Sequence, residues 1–162
     1  MDLDPELGRR GGLARRLVGG PARIRRAAIA AAEATPEPGN WTAQQVVLHL
    51  VAVETEVVQE RLRQLSELDS PEWVWVEPGP AAPLDDESLA DSLLRFAAAR
   101  LATLDWVAAL DDAGWSRSGQ HATLGRLDVA GLLAVAADHD AEHLAGLAKL
   151  ARSAAQGERP TR

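Results

Sequence analysis

The sequence predicts an all-α protein, a four-helix bundle built from a single domain. Apolar residues recur at helical spacing through four long segments, and most of the proline and glycine lies outside these segments. Aromatic residues are scarce, with five Trp, one Phe and no Tyr in 162 residues. The core must therefore be built from Ala, Leu and Val, and such a core suits closely packed helices better than a β-sandwich.

The first predicted helix covers residues 21–35 and begins with Pro21, because proline is favoured at the first helical position. Residues 1–20 contain two Gly pairs and four Arg, and we expect them to form a basic, partly ordered lead-in. An anchor for an acidic partner or a phospholipid is the functional alternative for this segment. The bundle is then expected to span residues 21–155, with a tail at 156–162.

The second predicted helix starts after Thr42, a residue type that caps helix N-termini, and runs to about Leu68. Ser70 and Pro71 end it. A long connection rich in proline follows, in which the run WVWV is either a short extended segment or a loop that packs aromatic rings onto the bundle. Long connections in compact domains are often functional.

The third predicted helix spans residues 87–110, after two aspartates that favour a helix N-terminus. Arg100 lies in the middle of its apolar stripe and therefore needs a partner. Recognition of a substrate carboxylate and pairing with a buried acid are equally good interpretations of this arginine. A connection at residues 111–125 leads to the fourth predicted helix, at about 127–155.

Composition excludes several classes of protein. The net charge of −7 argues against general nucleic-acid binding, which needs a basic surface. The absence of cysteine excludes disulfides, thiolate metal sites and a cysteine nucleophile. No apolar run is long enough to cross a bilayer and the N-terminus does not resemble a signal peptide, so that a cytoplasmic protein without membrane contact is expected.

Two of the four histidines, His139 and His143, are four residues apart on the apolar stripe of the last predicted helix. Residues at this spacing lie on one helix face, so that both imidazoles can reach one metal ion. A shared metal ion would remove the cost of burying two polar rings. The alternative is a pair of core histidines that form hydrogen bonds across the bundle. His49, at the margin of the apolar face of the second helix, could supply a third ligand if the two helices are neighbours.

Other polar residues are weaker candidates. His121, in a connection flanked by glycine, is a candidate site residue or merely a loop residue. Glu56 and Glu60 share the side of His49 and could act as hydrogen-bond acceptors or as a general base, although an exposed helix flank is slightly favoured. Asp140 could bond to an imidazole N–H, and a solvated position for it is at least as good an interpretation.

At this point the residues resemble a known family. The stretches WTAQQVVLHLVAVE, SLLRFAAAR and GRLDVAGLLAVAADHDAEHLAGL are similar to the DinB/YfiT-like superfamily, four-helix bundles with a three-histidine site for a divalent metal. The resemblance covers about residues 21–151. It implies that His49, His139 and His143 are the metal ligands. The glutamine frequent near the end of the last family motif is replaced here by Gly146.

The resemblance also implies cofactors and chemistry. Three neutral imidazoles suit Zn²⁺ or Ni²⁺ and leave positions open to water or substrate. Some members of the superfamily are transferases or isomerases that use a bacterial thiol, bacillithiol or mycothiol, and others are named as hydrolases. We therefore expect a metal-dependent thiol transferase acting on a small molecule, with a hydrolase or a non-catalytic metal-binding stress-response module as alternatives.

Two further expectations concern the catalytic residues and the quaternary structure. The candidates for catalysis are Glu56, Arg100 and His121. Family members often form dimers, and the segment Trp73–Val76 is the candidate surface for a homodimer here. The ligand count favours catalysis, because structural zinc sites usually have four protein ligands and this set has three.

Overall fold

The computed structural model describes residues 5–157 and contains four long helices with a small sheet at one side. The second long helix consists of two α-helices joined by a π-helical segment, Val53–Gln59. The α-helices are α1 (Pro5–Ala30), α2 (Ala43–Ala52), α3 (Glu60–Glu67), α4 (Leu89–Ala108), the short α5 (Asp112–Ser116) and α6 (Val129–Gly157). The strands are β1 (Glu72–Trp73), β2 (Ser118–His121) and β3 (Gly125–Asp128).

The long helices pack as a bundle around two clusters of buried apolar residues, which confirms the predicted fold class. Helix α1 packs between α6 and α4, α2 packs against α4, and contacts between α2 and α6 close the ring. Leucine, valine and alanine dominate the buried residues, as the composition predicts. Among residues 5–157, no helix is sufficiently long and apolar to cross a membrane.

Capping residues fix where two of the helices begin. The Thr42 hydroxyl accepts from the backbone N–H of Gln45, whose side chain accepts in return from the N–H of Thr42. Ser88 and Asp91 form the same reciprocal arrangement at the start of α4. Each arrangement satisfies two donors that a helix N-terminus would otherwise leave unpaired. The predicted start of the second helix after Thr42 agrees with the structure.

The first helix is longer than predicted, because it begins at Pro5 and not at Pro21. The described part of the expected lead-in is therefore helical, and residues 1–4 lie outside the described residues. Leu13 and Leu17 are buried and continue the apolar stripe of Ile24 toward the amino terminus. Their burial stabilises each side chain by about 1.5–3 kcal/mol, which offsets the roughly 3 kcal/mol cost of an internal proline.

The internal proline has a specific consequence for the backbone. Pro21 has no N–H, so the carbonyl of Leu17 four residues earlier lacks its usual helical donor. The Arg100 guanidinium on α4 supplies a long hydrogen bond of 3.4 Å to that carbonyl. The break in the hydrogen-bond ladder of α1 is therefore also a point of contact with α4.

The small sheet lies beside the bundle, and its strands belong to the connections between the long helices. Strand β1 pairs in parallel with β2, and β2 pairs with β3 as an antiparallel hairpin. The indole of Trp73 is buried and donates to the Gln64 side chain at 2.7 Å, which fastens β1 to α3. The WVWV run thus begins as a short strand, one of the two predicted possibilities.

The connection at residues 111–125 was expected to be a loop and is instead α5 followed by the β2–β3 hairpin. Four-residue strands with glycine and polar residues give little periodicity, and they are stabilised by the pairing of β2 with both β1 and β3. At the other end of the chain, α6 continues through Gly157, so that the first two residues of the expected tail are helical. Residues 158–162 of that tail lie outside the described residues.

Candidate metal centre

Four side chains converge between α2, α6 and the connection that follows β1. One ligand atom from each of His49, Glu77, His139 and His143 lies within 4.8 Å of all the others. The Nε2 atom of His139 is 3.2 Å from that of His49 and 3.1 Å from that of His143. The Oε1 atom of Glu77 lies 3.0 Å from His49 Nε2 and 3.2 Å from His139 Nε2.

Helix geometry positions the three histidines. His139 and His143 lie on consecutive turns of α6, and His49 is fully buried on the facing α2. The indole of Trp41, just before the cap of α2, packs against the His49 ring with centroids 4.7 Å apart. The structure therefore brings together the three histidines that the sequence analysis had selected.

A backbone carbonyl determines the tautomer of His49. Its Nδ1 lies 2.7 Å from the carbonyl oxygen of Pro78. A carbonyl only accepts, so Nδ1 must carry the hydrogen, and the neutral ring then presents the electron pair of Nε2 to the centre of the cluster. Metal-binding histidines are typically oriented by such a contact on the second ring nitrogen.

Two of the three imidazoles in the cluster, those of His49 and His143, have pKa values below the ordinary value of histidine. Burial lowers the pKa of His49 below its ordinary value, although the hydrogen bond to Pro78 acts in the opposite direction. Burial, together with the charges of the neighbouring His139 and His49, lowers the pKa of His143 to about 4. The neutral forms of these two rings are therefore favoured, and their electron pairs face the centre of the cluster, an arrangement that a cation stabilises.

The spacing of the cluster fits a first-row divalent metal. Metal–nitrogen bonds of about 2.0–2.1 Å at tetrahedral or octahedral angles separate neighbouring ligand atoms by roughly 2.9–3.4 Å. Four of the six separations among these ligand atoms, 3.0–3.2 Å, lie inside this range, and the other two are no longer than 4.8 Å. A donor set of imidazoles and one carboxylate is also the type that zinc and nickel accept.

The sequence analysis did not identify Glu77 as a candidate ligand. This residue follows the WVWV run in the long connection, and its side chain is 44% exposed. Neither helical periodicity nor histidine spacing applies to a connection. The position of Glu77 beside an aromatic run was therefore the only feature of the sequence that could have indicated a ligand. With Glu77 the candidate set has four protein donors, which weakens the argument for catalysis that rested on three.

Arg100, a candidate for substrate recognition or catalysis, instead forms a buried ion-pair network. Its guanidinium lies 2.7 Å and 3.1 Å from the two oxygens of Asp140 and 2.8 Å from Oε2 of Glu54. Burial acts to lower the pKa of Arg100, but the bonds to Asp140 and Glu54 outweigh it and raise the pKa. Of the two interpretations of Arg100, the structure shows the pairing with buried acids.

The two glutamates that share the side of His49 in the helical wheel lie away from the cluster, on the flank that was slightly favoured for them. Glu56 is exposed, and Glu60 pairs with Arg63 on the surface of α3. The π-helical segment explains this difference, because its wider turn advances each residue by a smaller angle than an α-helix does. Residues after Ala52 therefore lie at smaller angles around the helix axis than a constant α-helical angle per residue predicts. The buried acid of this segment is Glu54.

His121 ends strand β2 and is fully buried, not in a loop as expected. Its Nδ1 accepts from the backbone N–H groups of Thr123 and Leu124 at 3.2 and 3.3 Å. The hydrogen of the neutral ring is therefore on Nε2, which has no hydrogen-bond partner among the described residues. His121 is not part of the cluster of four ligand atoms.

A helical bundle that brings three histidines and one glutamate to a common point defines a class, the four-helix-bundle proteins with a candidate metal centre. The family model of the DinB superfamily matches residues 22–147, which is most of the chain. The protein therefore belongs to the DinB superfamily, in agreement with the resemblance seen in the sequence.

A solved structure shares this fold. YfiT from Bacillus subtilis, described as a probable metal-dependent hydrolase with an unusual four-helix bundle topology, superposes with a TM-score of 0.72. The match covers 95% of this chain and 91% of that one at 19% sequence identity. At this identity the similarity shows the fold alone. No curated protein matches the sequence.

Proposed function

We propose that the protein binds one divalent metal ion through His49, His139, His143 and Glu77 and uses it in a reaction on a small molecule. The observation that carries this proposal is the convergence of imidazole nitrogens and a carboxylate oxygen on one point. Zn²⁺ and Ni²⁺ both suit this donor set. Such an ion lowers the pKa of a bound water or thiol and so makes a nucleophile available at neutral pH.

Within this proposal Glu77 takes the place of Glu56 as the candidate base. Its carboxylate is near the ligand nitrogens of His49 and His139 and is also open to solvent. A carboxylate that holds the metal through Oε1 can accept the proton of an incoming water or thiol at Oε2. Pro78, the next residue, holds the ring of His49, so one short segment would orient a ligand and supply the base.

Transfer of a low-molecular-weight thiol is the reaction that we favour. A groove of about 510 Å³ is lined by Gly146, Lys149 and Trp41, whose indole contacts the His49 ring, although none of the four ligand residues lines it. Gly146 leaves open space where a side chain would stand. This volume is within the range of sites that hold a small organic molecule, and a thiol such as bacillithiol or mycothiol is of that size.

Hydrolysis is the second candidate, and the fold similarity to YfiT supports it. In a hydrolase, Glu77 would accept the proton of water rather than that of a thiol. Both reactions need the same ligands, so they differ in the nucleophile and not in the metal centre. A homodimer in the cytoplasm remains our expectation. Trp73 is buried, and Val74, Trp75 and Val76 are the exposed part of the candidate dimer surface.

Metal content tests the proposal directly. Protein purified without chelator or nickel resin should contain about one equivalent of zinc or nickel by mass spectrometry, and the His139→Ala/His143→Ala variant should contain almost none. His121→Asn is the matched control, because it removes a buried histidine outside the cluster. A folded, metal-free protein that does not bind added Zn²⁺ or Ni²⁺ would contradict the proposal.

A second experiment, with the metal-loaded protein, distinguishes thiol transfer from hydrolysis. A thiol transferase accelerates the reaction of bacillithiol or mycothiol with a chromogenic chloroarene, whereas a hydrolase cleaves nitrophenyl esters without added thiol. In either case the Glu77→Gln variant should be slower by about 10²–10⁴-fold, the usual contribution of a general base. Bound metal without turnover in both assays would instead indicate the non-catalytic module.

A further inference from the structure

A buried arginine without a carboxylate partner lies close to the candidate metal centre. Arg61 on α3 is 6% exposed. Its guanidinium donates to the carbonyl of Val74 at 2.9 Å and lies 5.4 Å from the centre of the Trp73 ring. Among the described side chains, no carboxylate is within ion-pair distance of it. The positive charge is therefore buried with one neutral acceptor and one aromatic face.

The other buried arginine among the described residues provides a contrast, because it has carboxylate partners. Arg100 is bound by two carboxylates, either of which would balance its charge. For Arg61 burial is not compensated in this way, and desolvation lowers the pKa of its guanidinium. Buried charges are normally paired, because removing an isolated ion from water is expensive. An unpaired buried arginine therefore indicates an anionic partner that binds from outside.

A small cavity connects this arginine to the cluster. Arg61 lines one part of it, and Glu77 and His139 line another. The walls between them are apolar and include Val57, Trp75 and Leu132. The cavity volume is about 30 Å³. Since a single water needs roughly 10–15 Å³ on this scale, the cavity admits one small group of a ligand and not a whole molecule.

The surroundings of the cavity also favour an anion. His121 does not line the cavity, but its ring lies 6.1 Å from that of Trp75, which does, and burial and the positive charge of Arg61 lower its pKa. Its buried Nε2–H has no acceptor in the described part of the chain. With a divalent ion at the cluster, the charge of Glu77 is more than balanced, so the lining is positive overall.

We propose that the substrate carries a carboxylate, and that Arg61 binds this group in the cavity while the reacting atom lies at the metal centre. A guanidinium matches a planar carboxylate with two parallel N–H donors, which a lysine could not do. Arg61 thereby restricts the substrates to small acids. This inference rests on the proposed function, because it takes the cluster as the place of reaction.

The test uses mercaptoacids, which can reach both points. Calorimetry on the zinc-loaded protein measures the binding of mercaptoacetate, 3-mercaptopropionate and 4-mercaptobutyrate, each against its neutral amide. For the best chain length we expect the acid to bind at least tenfold more tightly than the amide. Arg61→Gln should reduce this preference to less than twofold. Arg63→Gln, the matched control, removes an exposed arginine of the same helix and should keep the preference.

Equal binding of acid and amide to the unaltered protein would overturn the inference, and so would a preference that survives Arg61→Gln. Zinc binding is measured separately in each variant, and failure to bind zinc refutes the proposed function instead. If zinc does not bind, the Nε–H signal of Arg61 in the NMR spectrum tests whether a carboxylate binds at this arginine. A saturable shift with sodium acetate but not with acetamide supports the carboxylate site, and no shift overturns it.

Discussion

His121 illustrates how a single buried side chain can satisfy one of its polar atoms and leave another unpaired. Its Nδ1 closes the turn between β2 and β3 by accepting from two backbone N–H groups. The orphan Nε2–H then costs about 1–3 kcal/mol relative to a paired donor. The turn therefore depends on a histidine that must remain neutral.

We predict that His121 makes the metal-free protein less stable in mild acid. Burial holds its folded-state pKa below 6.5, the ordinary value of the unfolded chain. The unfolded state therefore binds a proton first, and this contribution to the free energy of unfolding is lost as the pH falls from 6.5 toward the folded pKa. Its slope is at most about 1.4 kcal/mol per pH unit.

Urea unfolding at pH 7.5, 6.5 and 5.5, with a chelator present, measures this effect. His121→Asn should lose less stability across the series than the unaltered protein, because Asn keeps an acceptor for the turn and does not titrate. His49 and His143 titrate in both proteins and so cancel in the comparison. Parallel curves for the two proteins would show that His121 has no such role.

At this scale, sequence information brought the three histidines together as candidates but not their acidic neighbour. The i and i+4 spacing of His139 and His143 specifies a shared face once a helix is assumed, whereas His49 lies at the margin of its apolar face and joined the set through the family resemblance. Glu77 and Arg61 acquire their roles from the path of a connection and from what it packs against. Local periodicity contains no information about either.

At the scale of helices, the ion-pair network of Arg100 joins four elements. The guanidinium on α4 contacts the carbonyl of Leu17 on α1, Glu54 in the π-helical segment and Asp140 on α6. Gly20 on α1 allows this approach, because a Cβ atom there would lie 2.8 Å from the Asp140 carboxylate. The network therefore holds the helices in one relative position.

Removing the arginine should be much more harmful than removing the whole network. We expect Arg100→Met to lower the free energy of unfolding by about 3–5 kcal/mol, because two carboxylates are left buried without a counter-ion. Exchanging Glu54 and Asp140 for leucine in the same protein should restore most of this loss. Urea unfolding followed by circular dichroism measures both variants.

A loss below about 1 kcal/mol for Arg100→Met, or a further loss in the triple variant, would contradict this account. Glu60→Gln is a suitable control, since it breaks the exposed pair with Arg63 and should change stability by less than about 1 kcal/mol.

The helices themselves were largely predictable, with two exceptions. Apolar stripes and capping residues located the second, third and fourth helices to within a few residues. The start of α1 was missed because Pro21 is an accepted first residue, and only tertiary burial of Leu13 and Leu17 shows that the helix extends beyond it. The π-helical segment has no sequence signal in a helical wheel, which assumes a constant angle per residue.

At the scale of the whole molecule, the candidate metal centre joins parts of the chain that are distant in sequence. His49 and His139 are separated by 90 residues, and they approach only when α2 packs against α6. An ion bound there would favour the folded state over the unfolded state. Folding and metal binding are therefore linked by mass action.

We predict that metal removal lowers the melting temperature. Zinc at 100 times its dissociation constant should stabilise the folded state by about 2.7 kcal/mol, or roughly 5–10 °C for a chain of this length. Differential scanning calorimetry with zinc and with a chelator measures the shift. The shift should disappear in His139→Ala and persist in His121→Asn, and a shift of equal size in both variants would contradict the assignment of the ligands.

The Arg100 network also restricts how this sequence can evolve. Replacing Arg100 alone leaves the buried carboxylates of Glu54 and Asp140 without a counter-ion, and replacing Gly20 by a larger residue displaces Asp140. Each of these single steps lowers stability before a second step can compensate for it. Among descendants of a common ancestor these four positions should therefore change together or not at all, whereas the exposed arginines are free to drift independently.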